Sequence, residues 1–201
     1  MTQTTKLYWH WTTNPQKIRL ALEEWAIPHE LLPVNLGKGE HQSPEYRALH
    51  PKGSVPTLVF QDRTYWESNA ALLALAQAHT SMLPDPGNPD YAQALNLLFM
   101  EACTFQRWAG VHFIEQKINP LIGKATHLEA LAEAHQRLQS SFDILKKQLA
   151  GGDWLFERFS IVDCVFAPWL PYLDLTDRPN MTRWLLNLRQ RDSWTACGFR
   201  D

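Results

Sequence analysis

Cysteine is scarce in this chain. Three occur in 201 residues, Cys103, Cys164 and Cys197, widely spaced and never as a Cys-x-x-Cys pair. That excludes a disulfide-stapled small domain and a dithiol redox or zinc motif, and reads as three reduced thiols of a cytosolic protein. Charge of one sign is lacking as well: 19 Lys and Arg against 21 Asp and Glu leave a net charge of −2. Without a broad basic field, nucleic acid is not an expected partner. No apolar run reaches the roughly 20 residues that span a bilayer, so no membrane partner is expected either. Residues Met1 to Lys6 lack a basic segment leading into an apolar run, so they do not read as a secretory leader and a cytoplasmic location is expected. There is no internal repeat or low-complexity tract, and no metal is expected.

What is abundant is tryptophan. Nine are more than a core of this size needs, and some are expected to line an apolar ligand cleft. Length allows one large domain or two small ones. Residues 6–11 form a β-prone segment, and Asn14-Pro15 supplies an N-cap and first helical residue. Ile18, Ala21, Leu22 and Trp25 then recur on one helical face, which must stop near Ile27-Pro28. His29 to Leu36 reads as a second strand that Pro33 confines to a sheet edge. Pro84, Pro86, Gly87 and Pro89 break the pattern, and everything beyond is helical. Leu95, Leu98, Ala102 and Phe105 form one stripe; Leu131, Leu138, Phe142, Leu145 and Leu149 form another, behind an expected Thr126–Glu129 capping box. Ser160 with Asp163 is a second box, and 180–190 is a last helix. The reading is a small α/β domain at 1–79, a linker at 80–90 and an all-helical domain at 91–201.

The most informative stretch is Ser54-Val55-Pro56-Thr57-Leu58-Val59, followed by Glu67-Ser68-Asn69-Ala70. Leu58 to Phe60 is a short apolar strand, 61–63 a turn, and 64–66 a hairpin partner. Ser68 is expected to cap the apolar helix that follows. A proline at a strand mouth donates no ladder hydrogen bond, so the backbone at Val55 is free to face a ligand. The neighbouring helix start offers unpaired N–H groups and a positive dipole end suited to a carboxylate. Together they describe a site for an extended, anionic peptide.

Over nearly its whole length the chain resembles the cytosolic glutathione transferases. Thr12-Thr13-Asn14 with the helix from Lys17 to Glu24, and the run from Gly37 through His41, Gln42 and Tyr46 to Val55-Pro56, are similar to the first strand–loop–helix and the cis-proline approach of theta-, phi- and nu-like members. Glu67-Ser68 resembles that family's γ-glutamyl motif. The resemblance implies a thioredoxin-like N-terminal domain followed by a helical C-terminal domain, glutathione as co-substrate, and a homodimer. It implies that Val55 exchanges backbone hydrogen bonds with the cysteinyl unit, that Pro56 is cis, and that Glu67 and Ser68 take the γ-glutamyl amine and carboxylate. His41, Gln42 and Lys52 fall near the glycyl carboxylate.

At the thiol end the family's serine falls on Thr12 or Thr13, with Asn14 in support, and no cysteine is present there. A hydroxyl donating to sulfur beside a helix N-terminus favours the thiolate. Trp11, Phe105, Trp108 and Phe113 are candidates to hold a small hydrophobic electrophile. Three activities stay open: conjugation of such an electrophile, glutathione-dependent reduction of a disulfide or peroxide, and non-catalytic binding on the same fold.

Overall fold

In the computed structural model of the chain, which describes residues 4–199, the β-prone opening segment is strand β1, Thr5–Trp9. Helix α1 follows at Thr13–Glu24 with Thr12 as its N-cap, two residues before the expected Asn14 cap. Proline fits anywhere in a first helical turn, where N–H groups have no intrahelical acceptor, so Pro15 marks the turn without fixing its register. Strand β2 is His29–Pro33, short of Leu36. Helix α2 (Pro44–Leu49) is capped by Ser43, whose hydroxyl accepts from the Tyr46 N–H at 3.2 Å. Strands β3 (Thr57–Phe60) and β4 (Arg63–Tyr65) form the hairpin, turning on Gln61 and Asp62, both at positive φ. That left-handed pair gives a two-residue turn whose twist matches the strands. Helix α3 is Ser68–Ala78, and here the cap is Glu67, with Ser68 already inside the helix.

The sheet order is β2-β1-β3-β4, with β1 parallel to β2 and antiparallel to β3, and β3 antiparallel to β4. A β-α-β unit followed by a β-β-α unit is the thioredoxin-like arrangement, with Pro33 on an edge strand as its missing N–H requires. Leu7 and Leu58 of the sheet, Ile18, Ala21 and Leu22 of α1, and Ala71, Leu72 and Leu75 of α3 are fully buried and make its core.

Residues 84–190 form a second, helical unit. Helix α4 (Pro89–Met100) runs through a π-helical turn at Glu101–Phe105 into α5 (Gln106–Phe113), and a second π-helical turn at Ile114–Ile118 leads to α6 (Asn119–Leu121). The wider turn rotates the expected stripe: Ala102 faces outward, and Glu101 is fully buried, accepting from the Trp169 indole N–H at 2.9 Å. Helix α7 (Leu128–Gln148) starts from His127, and the expected Thr126–Glu129 box is absent. The Thr126 hydroxyl donates to the Glu115 carbonyl at 3.0 Å, and the Glu115 carboxylate accepts the His127 N–H at 2.8 Å instead. The Ser160–Asp163 box does form, opening α8 (Ile161–Phe166); α9 is Pro179–Arg189. No described helix is long and apolar enough to cross a membrane.

From Arg191 the described chain belongs with the first unit. Helix α10 (Asp192–Ala196) lies on α1. The Arg191 guanidinium forks onto the Glu24 carboxylate, the Ser193 hydroxyl donates to it at 2.5 Å, and Arg19 reaches the Ala196 carbonyl at 2.6 Å and that of Cys197 at 3.1 Å. Composition assigned this stretch to the helical domain because its partners lie more than 160 residues upstream.

Candidate functional site

The sheet register gathers the motif residues. Tyr8 is paired with Thr57, so the end of β1, leading to Thr12, lies beside the start of β3, where Pro56 enters. Leu58 is paired with Tyr65, so Trp66 and Glu67 leave β4 alongside the same place. One end of the sheet thus presents the start of α1, the Val55-Pro56 peptide and the start of α3. The Val55-Pro56 bond is cis, and Val55 lies before the paired part of β3.

A side chain to which the sequence reading gave no task, Tyr46, and a left-handed glycine, Gly53, brace that peptide. The Tyr46 hydroxyl donates to the Ser54 carbonyl at 2.7 Å and lies 3.0 Å from the Thr57 hydroxyl, so it holds the residues on both sides of Val55-Pro56. Burial pushes this phenol's pKa up, with the Thr57 contact opposing, so it stays protonated as a donor. Gly53 adopts φ +57, and a Cβ there would meet the His41 carbonyl at 2.7 Å. Only glycine fits that left-handed, crowded position. The sequence signal for Tyr46 was its place three residues after a capping serine.

Gln42 donates to the Gly53 carbonyl at 2.8 Å, so its amide is engaged in bracing the loop. His41 is half-buried, and its Nδ1 is buried without a partner. The Lys52 ammonium lies 3.1 Å from the Glu67 carboxylate and 5.3 Å from the centre of the Trp66 ring. Both charges are well exposed, so the pair is screened and easily opened. Glu67 makes no side-chain cap bond, leaving its carboxylate to face outward, while its carbonyl accepts the Ala71 N–H at 2.9 Å. Ser68 is buried and lies at the first position of α3, its hydroxyl 3.4 Å from the Asn69 side-chain oxygen.

At the start of α1 the two threonines differ. Thr12 is half-buried and extended, and its hydroxyl makes no cap hydrogen bond; Thr13 is buried. Asn14 has a buried side-chain oxygen without a partner. The N–H groups of Thr13 and Asn14 have no intrahelical acceptor, and Pro15 has none to donate, so the helix end is polarised toward an anion. His10 precedes this turn, its Nδ1 also buried and unpartnered, and burial holds its pKa below the ordinary value.

The aromatic candidates divide. Trp11 is exposed, and Trp108 is half-buried with the Arg107 and Arg137 guanidiniums 5.0 and 5.4 Å from its ring centre. Phe113 is buried against Tyr172 at 5.0 Å. Phe105 has no exposed surface and packs on Phe166 at 5.0 Å, so its role is in the helical core and it does not belong to an electrophile set. None of the three cysteines is in a disulfide: Cys103 is exposed, Cys164 and Cys197 are buried, and burial raises the Cys197 pKa to about 12. Among the described residues no group of three or more His, Cys, Asp or Glu is placed to hold a metal ion.

Comparison with known proteins gives these features a context. Residues 11–78 match the family model described as glutathione S-transferase, N-terminal domain, and residues 129–187 match the C-terminal domain of the same name. Glutathione S-transferase 1 of Schizosaccharomyces pombe is 30% identical over 81% of this chain and 72% of its own length. Glutathione S-transferase F9 of Arabidopsis thaliana is 26% identical over 94% of each. The crystal structure of glutathione transferase F7 from Populus trichocarpa superposes with a TM-score of 0.87 at 22% identity, covering 97% of this chain and 98% of that one.

Proposed function

The chain belongs to the glutathione S-transferase family, and from that premise we propose that it binds glutathione at the sheet end described above and activates its thiol for attack on a small apolar electrophile. The observation that carries this reading is the convergence of three elements on one sheet end: the cis Val55-Pro56 peptide, the outward Glu67 carboxylate beside Ser68, and a helix start whose capping hydroxyl is uncommitted.

In this reading the cysteinyl unit of glutathione lies along Val55 and exchanges backbone hydrogen bonds with it. The γ-glutamyl ammonium takes the place of Lys52 on Glu67, and its carboxylate meets Ser68 and the N-terminus of α3. Lys52, once displaced, is free to meet the glycyl carboxylate together with His41; Gln42 serves the loop and reaches the ligand only through it. A free thiol has a pKa of about 8.5, leaving only a few per cent ionised at pH 7. The Thr12 hydroxyl donates to the sulfur, and the start of α1 adds its positive end. Both favour the anion without a general base on the protein. Thr13, turned into the core, is the lesser candidate, and Asn14 supports the turn.

The electrophile is taken up at exposed aromatic surface; of the candidates, Trp11 in the first unit and Trp108 in the second each keep an accessible ring, and each is a candidate by itself. The protein works as a homodimer in the cytoplasm. The exposed Trp66 beside Tyr65 supports the first point, and three cysteines that form no disulfide support the second. The test is product analysis with glutathione and three partners in parallel: an aryl halide, an organic hydroperoxide and a glutathione-cleavable disulfide. A thioether product from the aryl halide is expected. Glutathione disulfide formed only with the last two would overturn conjugation in favour of reduction, and binding without turnover of any would mean a non-catalytic role.

A further inference from the structure

Between the Val55-Pro56 peptide and Glu67 stands a histidine to which the reading above gives no task. His50 follows α2, its N–H bonded to the Tyr46 carbonyl at 2.9 Å, and only 2% of its surface is exposed. Its ring stacks on Tyr46, centroids 6.2 Å apart and planes at 19°, and meets Trp66 at 5.9 Å. Tyr46 is the residue whose hydroxyl grips both neighbours of the Val55-Pro56 peptide. Trp66 is the residue that delivers Glu67 and carries Lys52 over its ring. The His50 ring therefore touches both halves of the groove, one through each flanking aromatic. Its Nδ1 is buried and has no partner, a feature a purely space-filling residue would not need.

We propose that His50 is a positioning residue for glutathione, a neutral wedge between Tyr46 and Trp66 that sets the spacing between the Val55-Pro56 peptide and the Glu67–Ser68 clamp. The inference rests on the glutathione site proposed above and adds a residue that touches no ligand atom. Aromatic pairs have preferred separations, so removing the central ring lets Tyr46 and Trp66 relax toward each other, carrying the two ligand-binding segments with them.

The wedge is also sensitive to protonation. The groups facing the ring are Tyr46 from α2, Trp66, Glu67 and Lys52 from the flanking loops, and Tyr8 of β1 behind Tyr46 at 5.9 Å. Burial, with a lesser push from Lys52, holds the imidazole below its ordinary value of 6.5 against the opposing backbone groups of His50 and Trp66 and the Glu67 carboxylate. Because the folded value is depressed, the neutral ring is the form the fold favours. Its contribution is present above 6.5 and is lost as the pH falls through the folded value. A proton added to the ring would put a charge in a buried site, a cost that the backbone groups of His50 and Trp66 and the Glu67 carboxylate offset only in part.

The experiment measures kcat and KM for glutathione, with glutathione affinity by calorimetry, in the wild type, His50→Ala and His50→Phe, each from pH 7.5 to 5.5. His50→Ala is expected to raise KM about tenfold, the scale of one lost aromatic pair, while kcat at saturating glutathione falls by less than about threefold. His50→Phe keeps a ring but cannot titrate, so its KM is expected to change less than that of His50→Ala and to lack the acid-side rise expected of the wild type. Its flat profile decides the matter even where His50→Ala fails to fold, as judged by its melting curve. A folded His50→Ala with wild-type KM, or a His50→Phe whose KM still rises as the wild type's does, overturns the proposal. A wild type that binds no glutathione overturns the underlying site instead, which the calorimetry reads separately.

Discussion

Replacing Asp163 by alanine removes the acceptor around which the start of α8 is organised. One carboxylate oxygen accepts the Leu155 N–H at 3.1 Å and the Trp184 indole N–H at 3.0 Å; the other accepts the Ser160 N–H at 2.9 Å and the Ser160 hydroxyl at 3.1 Å. All of this is fully buried. The Ser160 hydroxyl retains its bond from Val162, but three N–H donors lose their acceptor. At about 1–3 kcal/mol for each buried donor left unsatisfied, partly relieved by relaxation, the loss should be about 3–6 kcal/mol, a large share of a typical domain's stability. The same group gives a pH signature. Burial lifts its pKa from 3.8 to about 6, outweighing the four hydrogen bonds that pull it down. A folded value above the unfolded one means the stabilisation is complete below pH 3.8 and is lost as pH rises through about 6. Between pH 7 and pH 5 the wild type should therefore gain about 1 kcal/mol from this group, and the alanine variant should not. Urea titrations at both pH values, followed by far-ultraviolet circular dichroism and by tryptophan emission, measure both effects. An alanine variant within 1 kcal/mol of wild type at pH 7, or one that keeps the full pH difference, would refute the reasoning.

Gly53→Ala should lower stability by about 1–2 kcal/mol from the left-handed backbone alone and raise KM for glutathione, because the new Cβ pushes on the His41 carbonyl; melting curves and kinetics check both. Glu67→Gln should weaken glutathione binding by roughly 1.5–3 kcal/mol, the worth of a hydrogen bond to a charged group, without lowering the melting temperature, as calorimetry and melting curves will show. Arg191→Ala should loosen α10 from α1, seen as faster amide exchange across residues 192–197 with little change at α3, since the guanidinium's fork onto Glu24 is a principal tie. Sedimentation at micromolar concentration should give the mass of a dimer; a strict monomer would remove the assembly from the account.

The first unit was legible because its signals are local. Alternation and turn chemistry located β3 and β4 within a residue, and Pro33 identified the edge strand from its missing N–H alone. Helix starts were legible only approximately. Thr12, Thr13, Asn14 and Pro15 all suit a first turn, as do Glu67 and Ser68, so sequence could not choose which becomes the cap; packing did, by burying Thr13 and Ser68. The helical unit was less readable at its π-helical turns, where one extra residue per turn moves Glu101 inward and Ala102 out, against the regular 3.6 spacing. Thr126 was misread because a capping serine or threonine is recognised only by what lies three residues ahead, whereas its partner, Glu115, lies eleven behind. Tyr46 and His50 escaped for a related reason: their tasks depend on Ser54, Thr57 and Trp66, which only the folded sheet brings to them. The return of α10 to α1 had no local signal at all.

The central claim is that a hydroxyl at the start of α1 holds the thiolate, and an ultraviolet titration of bound glutathione tests it most directly in the wild type, Thr12→Val and Thr13→Val. A charge-assisted hydrogen bond worth roughly 1.5–3 kcal/mol corresponds to about one to two pH units in the thiol's pKa. Thr12→Val should raise that pKa by this amount, and Thr13→Val, altering a buried side chain, should leave it near the wild-type value. If Thr12→Val titrates as the wild type does, the hydroxyl is not what stabilises the sulfur, and the account of thiol activation is wrong.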